Sequence, residues 1–434
     1  MPTRRRFLAT SAAVASTALL HRRVNAAPEV TASVPVTQLT TGETAHWFGY
    51  YDKLQTSRDD SLALTGRVSF EGRSPAPGDA ITVGWVSTDP TTAEDDRKMW
   101  PIGESRAWGW QQGCMLQWVP ESDDLIWNDF EDGRFVSRLK STHDPDIRTI
   151  DAPIYALAPD GSFAVTTDFE RIQNMRPGYG YAGVVDSGEA EKAPESSGIS
   201  RVDLKTGEKR LLVSYAEMAA IPHEGQSLAD KWHYFNHLLV DPVGERMIFL
   251  HRWRDQPKRQ NGKTVPNAGS FKTRLVTCRC DDGGDRYILD PSGATSHFIW
   301  RDPEHICAWT RWKGKDGFFL FRDRTREVLP VGAHVMTRNG HNTYVPGTGG
   351  EWILNDTYPV GPDRLQTVYL YHVPSSSRFD LASFPSPPPF TGEYRCDLHP
   401  RNSRDGSFII VDSAHSGQRQ QYRLEIESVL AKRG

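Results

Sequence analysis

A polar turn followed at once by a short apolar run recurs seven times along the chain. The copies are Ser57-Arg-Asp-Asp-Ser-Leu-Ala-Leu, Pro120-Glu-Ser-Asp-Asp-Leu-Ile-Trp, Pro159-Asp-Gly-Ser-Phe-Ala-Val, Pro242-Val-Gly-Glu-Arg-Met-Ile-Phe, Asp302-Pro-Glu-His-Ile-Cys-Ala-Trp, Gly349-Gly-Glu-Trp-Ile-Leu and Arg404-Asp-Gly-Ser-Phe-Ile-Ile. Each sets residues that tolerate turn dihedrals before a hydrophobic stretch of strand length, as when a hairpin restarts at a fixed point of a repeated β-unit. The interval varies, from roughly 40 to 80 residues, so insertions separate some copies. Its mean is near that of a four-stranded propeller blade. The pattern predicts an all-β chain folded as a seven-bladed β-propeller.

Between the copies, residues 199–214, 274–289 and 318–331 predict hairpins around polar turns such as Asp203-Leu-Lys-Thr-Gly-Glu. Residues 186–197 and 255–270 lack periodicity and predict loops projecting from the rim. Helix signals are confined to residues 215–220 and the tail from Ile426. One propeller domain, 28–434, accounts for the chain without a second domain.

Residues 1–27 have another character. Arg4-Arg5-Arg6-Phe7-Leu8 leads into a mildly apolar run to Leu20 and small residues at Ala26 and Ala27, the pattern of a twin-arginine export signal with its cleavage site. The run is too short and too rich in Ala, Ser and Thr for a transmembrane anchor. No later stretch is long and apolar enough to span a bilayer, so the mature chain is expected in the periplasm or outside the cell, as a monomer.

Composition narrows the partners. A net charge of −4 argues against a generic polyanion-binding field, so nucleic acid is not expected. An acidic substrate must then meet locally placed Arg and His. Abundant Trp, Tyr and Phe suit either a carbohydrate- or peptide-binding surface or the packing between blades. The five cysteines include no CxxC pair, and Cys278 and Cys280 are badly placed to bond to each other on a strand, so buried free thiols are expected.

The histidines carry the chemistry. His237, His297, His341 and His399 each lie several residues before the polar turn of their unit, and His46, ahead of Tyr50-Tyr51-Asp52, holds a similar place in the first. Equal offsets in successive blades bring side chains to one height around the central channel, so these imidazoles are expected to converge. Such a cluster can hold a divalent metal, act as a base, or do both. In Arg395-Cys-Asp-Leu-His-Pro-Arg, Asp397 and His399 lie two apart on an expected strand and point the same way, toward His341. Imidazole with carboxylate suits manganese, zinc or iron better than magnesium; alternatively, Asp397 orients a histidine.

On these residues the chain resembles oligogalacturonate lyases, polysaccharide lyases built as seven-bladed propellers. Thr295-Ser-His297-Phe-Ile-Trp is similar to the segment that carries their catalytic histidine base, and Arg274 to the arginine that accompanies it. His341 and the segment Leu398-His399-Pro400 resemble metal-ligand segments of that family, with Asp397 where the family has a further histidine and Tyr394 where it has a glutamine. The resemblance implies a divalent metal on His341, Asp397 and His399, manganese first, with zinc or calcium as alternatives. A second resemblance, to propeller-type ulvan lyases, runs through Trp108-Gly-Trp110-Gln111-Gln112-Gly113 to Asn128, then Arg176-Pro-Gly-Tyr179-Gly-Tyr181. It makes Trp110 and Gln112 substrate-binding candidates, although Gln112 and Asn128 stand where histidines would be wanted. Tyr181 is either an acid or base on a Gly-flanked loop or part of a rim turn.

The implied reaction is β-elimination in a uronate-containing oligosaccharide or polysaccharide. Proton removal at C5 requires a neutralised carboxylate, by Arg274, Arg252 or the metal, and a base, for which His297 is chosen. His237 would position the sugar or assist proton transfer, and His46 would contact substrate. The alternative is a non-catalytic periplasmic propeller, which explains the repeats but not the histidines. A glycosidase carboxylate pair has no clear signature.

Overall fold

Each of the seven polar turns joins the first two strands of a blade. In a computed structural model describing residues 29–432, seven antiparallel sheets form a ring, the arrangement of a seven-bladed β-propeller. The export segment expected over 1–27 lies outside the described residues. Blade 1 runs from strand Ala45–Trp47 to Trp100–Ser105, blade 2 from Gln117–Trp118 to Ile147–Ile150, and blade 3 from Ala156–Leu157 to Lys209–Ser214. Blade 4 runs from Trp232–Val240 to Tyr287–Gly293, blade 5 from Phe298–Asp302 to Val328–Val331, and blade 6 from Thr343–Tyr344 to Ser377–Pro385.

The recurrence of the turn has a local cause. Asp59, Asp160 and Asp405 each accept a hydrogen bond from the backbone N–H two residues on, at 3.1, 3.0 and 2.9 Å, which closes the same Asx turn in blades 1, 3 and 7. Gly161 and Gly406 follow two of these aspartates with φ of 68° and 75°, a region costly for residues with a Cβ. The apolar run after each turn becomes the second strand, buried on both faces between blades, as in Phe163–Thr166 and Trp352–Asn355.

The ring is closed by the N-terminal segment. Val36–Gln38 pairs with Gln420–Glu425 as the outermost strand of blade 7, whose inner strands are Arg401–Asn402 and Phe408–Ser413. Thr31–Ala32 adds a fifth strand to blade 6. Val34, between them, is buried in the core shared by these two blades.

All three expected hairpins form, and the two helix signals become helices Tyr215–Ala219 and Glu427–Leu430. A further helix, Phe169–Met175, lies in the long insertion of blade 3. The expected loops are more ordered than their composition indicates. Residues 255–270 contain a two-strand ribbon, Arg259–Gln260 with Lys263–Thr264. The segment at 186–192 is pinned by Arg171, which donates to the Asp186 carboxylate and to the Gly188, Glu191 and Lys192 carbonyls. All five cysteines are buried and free. Among the described residues, no helix is long and apolar enough to cross a membrane.

Antiparallel strand order divides the connections between two faces. The seven echoing turns share one face. The long connections, 69–80, 167–197, 255–271, 332–342, 356–364 and 386–400, lie on the other, where the innermost strands begin.

Candidate active site at the channel mouth

His237, His297 and His399 each stand five residues before their turn, which begins at Pro242, Asp302 or Arg404; Asp52 stands five before Ser57. These positions open or interrupt the innermost strands. His237 has φ of 54° at a register shift between Asn236 and Leu239, and His399 has φ of 42° just ahead of Arg401–Asn402. Left-handed backbone at a bulky residue is costly, and a bulge re-aims a side chain out of the strand's alternation, here into the channel.

Three imidazoles converge there. The ring centres of His297 and His341 are 4.2 Å apart and those of His341 and His399 4.3 Å. One ligand atom each from His341, Asp397 and His399 lies within 4.8 Å of the other two, and all three residues are buried. His341 Nδ1 is 3.0 Å from both oxygens of Asp356, which also accepts the His341 backbone N–H at 2.7 Å. That carboxylate fixes the ring and leaves Nε2 for the cluster. Asp397 accepts from Arg395 Nε at 2.7 Å through Oδ2, while its Oδ1 is buried with no hydrogen-bond partner. An orphaned carboxylate oxygen beside two imidazoles fits a first-row divalent ion and suits calcium poorly.

His297 is set up differently. Its Nδ1 lies 2.9 Å from Asn339 Oδ1, and Asn339 donates its amide to Ser296 Oγ, so the ring carries its proton on Nδ1. Nε2 is then the unprotonated nitrogen, and its lone pair accepts from the Tyr358 hydroxyl at 3.4 Å. Burial, then His341, hold the His297 pKa well below the ordinary imidazole value, so the ring is neutral. Burial and His341 do the same for His399. Tyr358 is held protonated, its pKa raised well above the usual phenol value by burial and by Asp397.

Beneath the imidazoles lies a buried ion-pair network. Asp52 is 3.2 Å from His237 Nε2 and 3.1 Å from Lys53 Nζ. The Tyr50 and Tyr51 hydroxyls lie 3.4 and 3.3 Å from the two nitrogens of His237, whose ring stacks on Phe298 at 4.0 Å. The His237 N–H donates to the Tyr155 hydroxyl at 2.7 Å, and Gln112 Nε2 donates to the same oxygen at 2.8 Å. Gln112 therefore serves the site through Tyr155. Tyr50 faces upward, 5.3 Å from the centre of the His399 ring.

Among solved structures, the chain is similar to an oligogalacturonate lyase from Vibrio parahaemolyticus, with TM-score 0.61 and 13% identity over 92% of this chain and 97% of that one. It is also similar to an oligogalacturonate lyase in complex with manganese, with TM-score 0.62 and 14% identity over 92% and 95%. At such identities the shared property is the seven-bladed fold. TolB from Acinetobacter baumannii matches at TM-score 0.41 and 11% identity over 85% and 80%. No protein-family model matches the sequence, and no curated protein matches it.

Several residues singled out in the sequence stand elsewhere. His46 alternates with core residues Ala45 and Trp47, and its Nδ1 lies 3.0 Å from the Thr44 carbonyl. It stands eleven residues before its turn rather than five, which keeps it out of the cluster. Arg274 is fully buried. It donates to the carbonyls of Met218, Ile221 and Pro222 behind helix Tyr215–Ala219, and to His251 Nδ1, so it serves packing and has no free donor for a substrate carboxylate. Trp110, in the connection between blades 1 and 2, packs on Trp47 under Arg419 and is buried. Tyr181 stacks on Phe169 at 4.2 Å and accepts from Asn128, a core position rather than that of an acid or base. Arg252, by contrast, stays on the site's side of the ring, at the upper end of blade 4 beside Phe271 and among the long connections.

Conversely, the site gains Tyr50, Tyr51, Asp52, Tyr155, Asn339, Asp356 and Tyr358. Asp52 was findable, because it shares the five-residue offset. The others come from connections whose spacing carries no periodic signal.

Proposed function

We propose that the protein is a lyase cleaving a uronate-containing glycan by β-elimination. The observation that carries this reading is a neutral, oriented imidazole with one unprotonated nitrogen, His297, packed against a His341–Asp397–His399 cluster able to hold a metal. His297 Nε2 takes the proton from C5, the C4–O bond breaks, and a C4–C5 double bond forms. Tyr358, protonated beside His297, is placed to return a proton to the departing oxygen. A divalent ion on His341, Asp397 and His399, manganese being the choice, would supply positive charge for the substrate carboxylate. His237, braced by Asp52, Tyr51 and Tyr155, holds the floor of the site rather than reacting. On the strength of the arginine-rich segment Arg4-Arg5-Arg6, the reaction is proposed for the periplasm.

The test is the ultraviolet absorbance of an unsaturated uronate product over a panel of pectic and ulvan oligomers. His297→Ala is expected to lower the rate about 10²- to 10⁴-fold with the fold kept. Full activity in that variant, or cleavage that yields only saturated sugars, overturns the reading. Binding of an acidic oligomer without cleavage by the wild type would turn it into a binding propeller.

A further inference from the structure

The channel mouth holds more arginine than its carboxylates account for. In blade 4 the register sets Tyr234, Arg252 and Thr273 side by side on three neighbouring strands. Arg252 is 3% exposed; its Nε donates to Thr273 Oγ1 at 3.1 Å, and its Nη1 is buried with no hydrogen-bond partner. The Tyr234 hydroxyl, also buried, has none either. Phe271 joins the group, its ring centre 4.6 Å from the Arg252 guanidinium carbon and 6.4 Å from the Tyr234 ring.

A second guanidinium reaches the same ring from across the mouth. Arg176, just past helix Phe169–Met175, lies 5.2 Å from the Phe271 centre and 3.9 Å from the Tyr179 ring, and donates to the Tyr179 hydroxyl at 3.0 Å. Arg395 donates to that hydroxyl as well, at 2.5 Å. Among the described residues, Asp397 pairs with Arg395, and no carboxylate pairs with Arg176 or Arg252. Taking the Arg252 guanidinium out of water without a counter-charge costs several kcal/mol, and the half-buried Arg176 adds a second unpaired positive charge beside it, so the pair calls for an anion. Phe271 and Arg176 belong to the connections that surround the histidines.

We propose that Arg176, Arg252 and Tyr234 form a second acid-group subsite, which takes a carboxylate or sulfate ester on a sugar neighbouring the one that reacts. The identity of the ligand as a glycan rests on the lyase reading above; the anion site itself does not. The substrate class narrows accordingly to chains acidic at closely spaced units.

Calorimetric titration with monogalacturonate, trigalacturonate, a sulfated rhamnose–glucuronate oligomer and neutral maltotriose, at constant ionic strength, tests this. Wild type is expected to bind trigalacturonate or the sulfated oligomer more tightly than monogalacturonate. Arg176→Gln should remove about 10- to 100-fold of that gain, the value of a charge-assisted contact, and Arg176→Lys should restore part of it. Whichever oligomer loses affinity tells whether the site takes carboxylate or sulfate. Arg252→Met should act in the same direction, with near-ultraviolet circular dichroism checking its fold; Arg176, on a connection, keeps the test open if that variant unfolds. Unchanged affinities in Arg176→Gln, or no acidic oligomer bound more tightly than monogalacturonate by the wild type, overturn the subsite. Affinity lost in the variants of a protein that makes no unsaturated product would uphold the subsite and sink the lyase reading.

Discussion

At the scale of single residues, distance from the turn marks most of the histidines that enter the site, with His341, eight residues before Gly349, as the exception. His237, His297 and His399 share an offset of five and meet at the channel, whereas His46 does not share it and stays in its sheet. Arg274 shows the opposite trap, since the family resemblance points to it but its donors are spent on carbonyls behind helix Tyr215–Ala219. Arg274→Met is therefore expected to cost about 2–5 kcal/mol of stability by leaving those carbonyls unpaired, with the specific activity of the folded fraction unchanged; urea unfolding alongside the product assay checks both. Its neighbours His251 and His233 lie 2.8 Å apart. Burial, then His233, hold His251 well below the ordinary imidazole value, and burial brings His233 to about 4. In the unfolded chain both take protons near the ordinary value of about 6.5. The folded state refuses those protons, so their contribution is complete above the unfolded value and is lost as pH falls below it. The stability lead of wild type over His251→Gln should thus shrink between pH about 7.5 and about 5, as read from urea midpoints; a constant lead would contradict this.

At the scale of elements, the connections decide what the strands display. The hairpins were legible because each carries its own turn residues. Helix Phe169–Met175 was not, because its Asp168 N-cap makes no side-chain capping bond and the packing of Phe169 against Tyr155 and Tyr181 holds it. The connection before blade 6 shows how little slack the site has. A Cβ at Gly340 would collide with the Asp356 carbonyl oxygen, so the backbone must pass bare there for His341 to reach the Asp356 carboxylate. With the metal proposed above on this cluster, Gly340→Ala is expected to lower both the metal content per chain and the unfolding midpoint, as measured by elemental analysis and thermal denaturation, whereas alanine at the unobstructed Gly347 should leave the metal content unchanged.

At the scale of the whole molecule, ring closure depends on the first described residues. Without 29–38, blade 7 loses its outer strand and leaves Gln420–Glu425 as an unpaired edge. That truncation is expected to cost at least about 2 kcal/mol, from Val34 alone, and to promote association; calorimetry and light scattering would show both, and an unshifted midpoint would mean that closure contributes nothing. The sequence by itself determined the strand content, the blade count and the histidines at the turn offset, because turn chemistry and short apolar runs are local properties repeated at each blade. It also brought out His341, by its place ahead of the blade 6 turn, and Asp397 and His399, by their spacing within one connection. The tertiary structure alone decided that Asp356 orients His341, that Tyr50 and Tyr51 flank His237, and that Arg176 and Arg252 share Phe271. Asp356 reaches His341 across the paired first two strands of blade 6, while Tyr50 and Tyr51 meet His237, and Arg176 meets Phe271, from different blades. The register that brings such distant segments together is written in no single stretch of sequence.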